Sequence, residues 1–562
     1  MPHIQGVHRD AVILFPPTLD EYITADNPVR CIDAFVDELD LHALGFQRAL
    51  ANRMGRPAYA PTDLLKLYLY GYLNRIRSSR MLERETQRNV EVMWLLKKLT
   101  PDFKTIADFR KDNLEPLKQV CRCFTLLCKQ LDLFGGILIA IDGCKFKAVN
   151  NYERNFTAER LAHLLQEVDT RIETYLAELN QADTQTPPVP QLAPYLMEKV
   201  ARLRARKERY QALSDHLQHS EDTQVSLTDA DSRSMVDRHK TMVGYNVQFA
   251  TDAKHKLIVD HEVTNAVTDQ HQLAPIAQRA RAILGVETLD ALADRGYYDG
   301  EQIKSCVEAG ITPWVSKPHT SRNQKHGLFT KADFIYDAEH DTYRCRAGAT
   351  LTYRFSTVED GRPQRYYATP ACSSCPLRER CTRNQSKGRR ITRWEHEGIL
   401  DTMTERIRTN RAVMRQRKEI VEHPFGTMKR GMQQSDFLMR GLRKVSAEMS
   451  LTVLAYNLKR VIRILGVSKL LQAIRDGRLK QAIRAAPEVI SQLHIIRAVL
   501  NVQLRTRLLR PRGRILFLSG LSPRLFTQSL RVLGRFRLRR KDARQVIYHT
   551  LSCGVTHVVR PV

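Results

Sequence analysis

The chain has 562 residues, too many for one compact core, so three or four structural units are expected. Its 89 Lys and Arg against 61 Asp and Glu leave a net charge of +28, the footprint of a protein that binds a polyanion, most often nucleic acid. No apolar run approaches the roughly 18 to 20 residues that span a bilayer, and Met1-Pro2-His3 opens no signal pattern, so a membrane role is excluded and a cytoplasmic protein is expected.

Residues 1–132 read as helical. Leu64, Leu65, Leu67, Tyr68, Leu69, Tyr72 and Leu73 recur at helical spacing behind a start signal at Pro61-Thr62. Thr100-Pro101-Asp102 offers a second start, a capping residue followed by proline at the first helical position. The short charged stretch Lys104 to Asn113 suits either a helix-turn-helix reading element or one member of an ordinary bundle. At Gly136 the period changes, and Ile137 to Ile141 is a continuous apolar run, the mark of a strand covered on both faces. Residues 151–237 revert to helix. Arms around Ala158 to Leu179 and Tyr195 to Leu217 flank a break at Thr186 to Pro190, as in a helical hairpin inserted into another unit.

Strand patterns return at Val243 to Thr251 and Leu257 to Val263, with Asp252 to Lys256 as the hairpin connection. A helix at His271 to Leu284, a strand at Thr288 to Ala293, a helix at Gly300 to Ala309 and a strand at Ile311 to Val315 complete a mixed α/β sheet flanked by helices, within a chain that is α+β overall. Residues 318–395 carry cysteines but no clear period, and helices resume near Gly398. Residues 467–562 form a basic extension. From about 501 it holds 14 Lys and Arg against one acid, Asp542, and reads either as a DNA-backbone-binding tail or as a poorly ordered extension.

Asp142 and Asp294 share a local grammar: each ends an apolar strand-like run and is soon followed by glycine, as Ile-Asp142-Gly and Ala-Asp294-Arg-Gly. Carboxylates at the ends of buried strands gather at one edge of a sheet, where ligand sites of open α/β folds lie. A third acid, Glu422, sits on a helical pattern, with Lys429 seven positions later and able to reach a phosphate. Cleaving a phosphodiester requires a deprotonated attacking oxygen and a stabilised leaving oxygen. Two hard divalent ions do both, and they prefer carboxylate oxygens. Capping or turn roles for the two aspartates are the plain alternative. Among competing acids, Asp290 falls on the strand face of Asp294, Asp299 reads as a cap before Gly300, and Glu419 faces elsewhere on the Glu422 helix. His423 is a substrate contact or an ordinary helix-surface histidine.

The chain resembles bacterial insertion-sequence transposases of the DDE class. The resemblance is carried by Ile139-Ala140-Ile141-Asp142-Gly143, Val243-Gly244-Tyr245-Asn246-Val247-Gln248, Ala293-Asp294-Arg295-Gly296-Tyr297-Tyr298 and Val421 to Lys429, and it covers most of residues 12–466. It implies a ribonuclease-H-like catalytic domain over 133–466, interrupted by the helical insertion 151–237 and the cysteine-bearing insertion 318–395, behind a helical DNA-binding domain at 1–132. It also implies Asp142, Asp294 and Glu422 as ligands of Mg²⁺ or Mn²⁺, with Lys429 beside them. Related families carry a Tyr and an Arg before the glutamate, where this chain has Arg415 and Lys418. The implied reaction is metal-dependent cleavage and joining of double-stranded DNA at element ends, by a homodimer or larger assembly in the bacterial nucleoid. A nuclease or resolvase on the same fold, and an inactive DNA-binding relic, are the alternatives.

Cys345, Cys372, Cys375 and Cys381 stand apart from the seven scattered cysteines. The two-residue gap between Cys372 and Cys375 lets both thiolates reach one Zn²⁺, and the other two could complete a structural site. Free thiols or an iron–sulfur cluster are the alternatives.

Overall fold

The computed structural model describes residues 17–50, 57–150, 152–184, 192–220, 223–237, 240–318, 322–359, 361–384 and 388–484. All of them belong to the first of two units, residues 1–498 and 499–562. The basic run beyond 501 and the break at 186–190 therefore lie outside the described residues.

The N-terminal part is helical, as its pattern predicts: α1 (Pro28–Asp37), α2 (Pro61–Leu73), α3 (Ser79–Arg88), α4 (Val90–Leu95), α5 (Phe103–Asp112) and α6 (Leu114–Gln130). Pro61 opens α2 at the first helical position. The cap of α5 is Asp102, not Thr100: its carboxylate accepts from the backbone of Lys104 and Thr105 and from the Thr105 hydroxyl, donors that only the residue directly before the helix can reach. Ile106 and Phe109 of α5 enter the core, while Lys104 and Lys111 stay exposed. Cys121, Cys123 and Cys128 are buried on α6, as small core hydrophobes.

β1 (Leu138–Lys147) then enters the main sheet. β2 (Asn155–Thr157) pairs with β3 (Gln224–Ser226) at the base of the hairpin made by α7 (Ala158–Thr184) and α8 (Leu192–His219), where Phe156, Leu161 and Leu217 form a small core. The rest of the sheet comes from β4 (Arg233–Asp237), β5 (Lys240–Asp252), β6 (Ile258–Thr264), β7 (Leu289–Ala293) and β8 (Ile311–Val315), with α9 (Leu273–Leu284) and α10 (Gly300–Glu308) between strands. β1 lies between antiparallel β5 and parallel β7, and β8 continues the parallel side. β4 and β6 share the far edge of β5. This is the mixed sheet with flanking helices that the sequence implies.

Residues 318–395 do not wander. After the short α11 (Arg322–Lys325), strands β9 (Ile335–Asp337), β10 (Thr342–Arg344), β11 (Thr350–Glu359), β12 (Arg362–Ala368) and β13 (Ile391–Trp394) form an antiparallel sheet in the order β13-β12-β11-β10-β9, with α12 (Arg378–Cys381) in the β12–β13 connection. Phe334, Tyr343, Leu351, Tyr367 and Ile391 are its core. Most of β11 is exposed on both faces, although Leu351, Tyr353 and Phe355 alternate with Thr352, Arg354 and Ser356 along it.

The chain closes on α13 (Glu397–Thr409), α14 (Arg411–Gly426), a π-helical turn (Thr427–Gly431), α15 (Leu442–Leu465) and α16 (Val467–Arg475). α15 is buried along most of its length because α2, α6, β6 and α16 surround it. One apolar core consequently runs from Ile23 through the N-terminal helices and the sheet to Ala482. No helix among the described residues is long and apolar enough to cross a membrane.

Candidate active site

Strand register builds the site. Ala140 of β1 pairs with Leu292 of β7, which pairs with Trp314 of β8, and all three project from one face of the sheet. Ile420 and Val421 of α14 pack onto this row and complete a small apolar cluster. Two residues further along the strands, on the same face and at the spacing of neighbouring strands, stand Asp142 and Asp294. One residue after Val421 comes Glu422. Asp142 and Asp294 therefore border a single apolar patch, and Glu422 lies on the helix that covers it.

Asp142 is not at a strand end, as the sequence suggests. β1 runs on to Lys147, and it is β7 that stops at Ala293, so the sheet edge falls beside the middle of β1. Asp294 caps the short 3-10 turn Arg295–Tyr297, its Oδ1 accepting from Gly296 N at 2.8 Å. Asp142 Oδ1 accepts from Gly143 N at 2.9 Å, and its Oδ2 faces Arg417 of α14 at 3.4 Å. Burial pushes the Asp142 carboxyl up to about 6; Arg417 pulls it down, and the like charges of Asp294 and Asp269 add to the rise. Each aspartate thus keeps its local backbone role and still contributes to a shared, strained negative charge.

Glu422 stands apart from that pair in its surroundings. It lies on α14 as predicted, but its side chain is 63% exposed and its partner is Lys418, at 3.7 Å on the preceding turn. Lys429 falls on the π-helical turn rather than on α14 itself, and Pro424 inside the helix marks the irregular stretch. Its ammonium donates to the Lys145 carbonyl at 2.9 Å and lies over the Phe146 ring, so it is turned against β1. His423 faces α15, bonding Tyr456 OH at 2.8 Å. Burial first, then the charges of Arg460 and Lys256, hold its pKa below the usual histidine value.

The competing acids separate cleanly. Asp299 caps α10, accepting from Glu301 N and Gln302 N, and pairs with Arg362 at 2.8 Å. Glu419 is exposed and pairs with Lys256. Asp290 shares the face of Asp294 but pairs with Leu138 at the other end of β7, about 13 Å away at strand rise, and so is no neighbour of the site. Sequence reasoning missed Arg417 and Asp269. Arg417 belongs to a helix dense in Lys and Arg that offers no way to single it out. Asp269 lies in the connection before α9, but Asn246 and Gln248, polar residues within the apolar strand β5, signal that something polar lies beneath them.

The four clustered cysteines converge as predicted, lining one cavity with Phe329, Phe334, Leu351 and Leu377. The zinc expectation is nevertheless not supported: no group of three or more Cys, His, Asp or Glu among the described residues is arranged to hold a metal ion. Burial raises the Cys381 thiol, Arg389 lowers it, and its cysteine neighbours add to the rise. The apolar core of the five-stranded sheet supplies the stability for which a metal staple was invoked.

The same geometric criterion applies to the carboxylates. Asp142 and Asp294 are an adjacent pair of hard oxygen donors whose mutual repulsion a divalent cation relieves, and in that respect they fit Mg²⁺ or Mn²⁺. Glu422, held by Lys418, does not close a group of three around them.

Comparison with known proteins finds two family models that match parts of the chain. Residues 344–462 match the family described as "Transposase DDE domain", and residues 17–112 match "Transposase domain (DUF772)". Both matches are to transposase domains, one in each half of the chain. No curated protein matches its sequence. Among solved structures it is similar to one described as a piggyBac transposase synaptic complex with hairpin DNA, at 10% identity and a TM-score of 0.29 over 90% of each chain. A superposition that loose bears on neither the fold nor the site.

Proposed function

We propose that the chain cuts the ends of a bacterial insertion sequence and joins them to target DNA, with Asp142, Asp294 and Glu422 as the carboxylates of the reaction. The observation that carries this reading is the shared register: two aspartates side by side past the Ala140–Leu292 row, beneath the helix that bears Glu422. Asp142 and Asp294, with Glu422 from α14, would hold a divalent ion, which would supply an activated attacking oxygen and charge for the leaving oxygen. The chain's own residues do the rest. Arg417 offsets the charge of Asp142 and presents a guanidinium suited to a phosphate at the same edge. Lys429 pins the end of β1 through the Lys145 carbonyl, which fixes Asp142 three residues earlier. The exposed Lys104 and Lys111 of α5 give the N-terminal helices a basic face for duplex DNA. Pairing two element ends calls for at least two copies of the chain.

The test uses the full chain, Mg²⁺ and labelled duplexes that carry the terminal sequences flanking its coding region. Asp142→Asn, Asp294→Asn and Glu422→Gln should each abolish cut and joined products while leaving DNA binding intact. A variant that cuts as well as the wild type removes its residue from the site. Cut products without joined ones turn the reading into a nuclease or resolvase.

A further inference from the structure

Behind Asp142, on the opposite face of β1, lies a polar cluster that the proposed chemistry does not use. Asn246 and Gln248 of β5 are fully or almost fully buried, as is Tyr297 in the turn that Asp294 caps. They converge on Asp269, in the connection between β6 and α9. Asp269 Oδ1 accepts from Asn246 Nδ2 at 2.6 Å, from Gln248 Nε2 at 2.7 Å and from Lys145 Nζ at 3.3 Å. Gln248 Oε1, left facing the other way, accepts from the Tyr297 hydroxyl. Gln248 pairs with Gly143, the residue directly after Asp142. A Cβ at Gly143 would stand 2.4 Å from Gln248 Nε2 and 2.6 Å from Asp269 Oδ1, so the glycine of the Ile-Asp-Gly motif is what lets the cluster close.

An amide side chain has a donor end and an acceptor end and can be turned either way; an ionised carboxylate only accepts. Asp269 therefore decides the orientation of both amides. With Gln248 Nε2 committed to Asp269, its Oε1 is the acceptor offered to Tyr297, whose hydroxyl would otherwise be buried without one. Tyr297 lies three residues after Asp294, in the same turn. The chain of bonds ties β1, β5 and the turn after β7 into one unit, and those elements carry Asp142 and Asp294.

We propose that Asp269 is a positioning residue for the two-aspartate site: through Gln248 and Tyr297 it fixes where Asp294 stands beside Asp142. This rests on the reading of Asp142 and Asp294 as metal ligands. Partners of ligating groups typically change metal affinity by 10- to 100-fold when removed, and the effect should be read on metal binding itself.

The experiment is Mn²⁺ titration of the full-length protein by calorimetry, without DNA. Asp269→Ala and Tyr297→Phe should each weaken Mn²⁺ binding about tenfold, and the double variant should lose no more than the worse single, because both break one chain. Asp269→Asn, which keeps an acceptor oxygen, should stay within a few-fold of wild type. Folding of every variant is checked by circular dichroism, and Tyr297→Phe alone decides the matter if Asp269→Ala does not fold. Wild-type affinity in Tyr297→Phe, or losses that add in the double variant, overturn the proposal. Asp142→Ala and Asp294→Ala serve as controls. If they bind Mn²⁺ as tightly as wild type, the metal-ligand reading itself fails and takes the proposal with it. If they lose binding while the Asp269 and Tyr297 variants keep it, only the positioning role is lost.

Discussion

Replacing Asp142 with asparagine should make the metal-free fold more stable at neutral pH while removing its activity. Burial and the neighbouring charges of Asp294 and Asp269 raise this carboxyl from 3.8 to about 6, with the opposing effect of Arg417 already included. A rise of about two units corresponds to roughly 3 kcal/mol against the ionised form. The side chain is 26% exposed, so solvent screening brings a realistic figure down to about 1–2 kcal/mol. The sign follows from linkage. Below about pH 4 the carboxyl is protonated in the folded and unfolded chains, and Asp142 costs nothing. Between about 4 and 6 the unfolded chain ionises first and stability drains away. Above 6 the full penalty is in place. Asparagine carries no charge and keeps an oxygen for Gly143 N. The assay is urea unfolding of wild type and Asp142→Asn in EDTA, from pH 4 to pH 8. The two should coincide near pH 4 and separate by about 1–2 kcal/mol above pH 6, with the variant the more stable. Adding Mg²⁺ should raise the wild type alone. A gap that does not change with pH, or a variant less stable at pH 8, would refute the idea that Asp142 is held in an unfavourable charge state for a cation to relieve.

Other perturbations test the frame around the site. Glu448, fully buried on α15, accepts from Leu438 N and Met439 N and faces Arg77 at 3.6 Å; Glu448→Ala strands those partners and should cost about 3–5 kcal/mol in urea unfolding. Gly244→Ala puts a Cβ 2.2 Å from the Phe146 carbonyl oxygen, backbone against backbone between β1 and β5. It should lower stability by about 1–3 kcal/mol or more, and solvent exchange of the amides paired between β1 and β5 should speed up. His261 is bonded to Ser450 Oγ at 2.8 Å, and burial lowers its pKa to about 4, so the stability it lends is complete above about 6.5 and is lost as pH falls toward 4. His261→Gln should flatten acid unfolding in that window, and an unchanged acid limb would count against the neutral buried imidazole.

The sheet was legible because its strands are covered on both faces or alternate cleanly. Ile137 to Ile141 and Thr288 to Ala293 had no other way to be buried, and the observed strands differ from those spans mainly at their ends. The antiparallel sheet at 335–394 was hard to read because β9, β10 and β13 are only three or four residues long, too short to show a period, although Leu351, Tyr353 and Phe355 of β11 do alternate with polar residues. Asp142 and Asp294 could be singled out because a carboxylate closing an apolar run has few structural excuses. Glu422 could not be singled out that way, since a glutamate on a charged helix face is the commonest residue there, and its exposed pairing with Lys418 shows how ordinary it looks. Asp269 was hidden more deeply. Its meaning depends on two amides of one strand, 21 and 23 residues earlier in the chain, on a glycine in another strand and on a tyrosine after a third. A sequence read locally finds groups that do chemistry, because their environment contradicts their polarity. It misses groups that hold those in place, because a buried hydrogen-bond chain is assembled only by the fold.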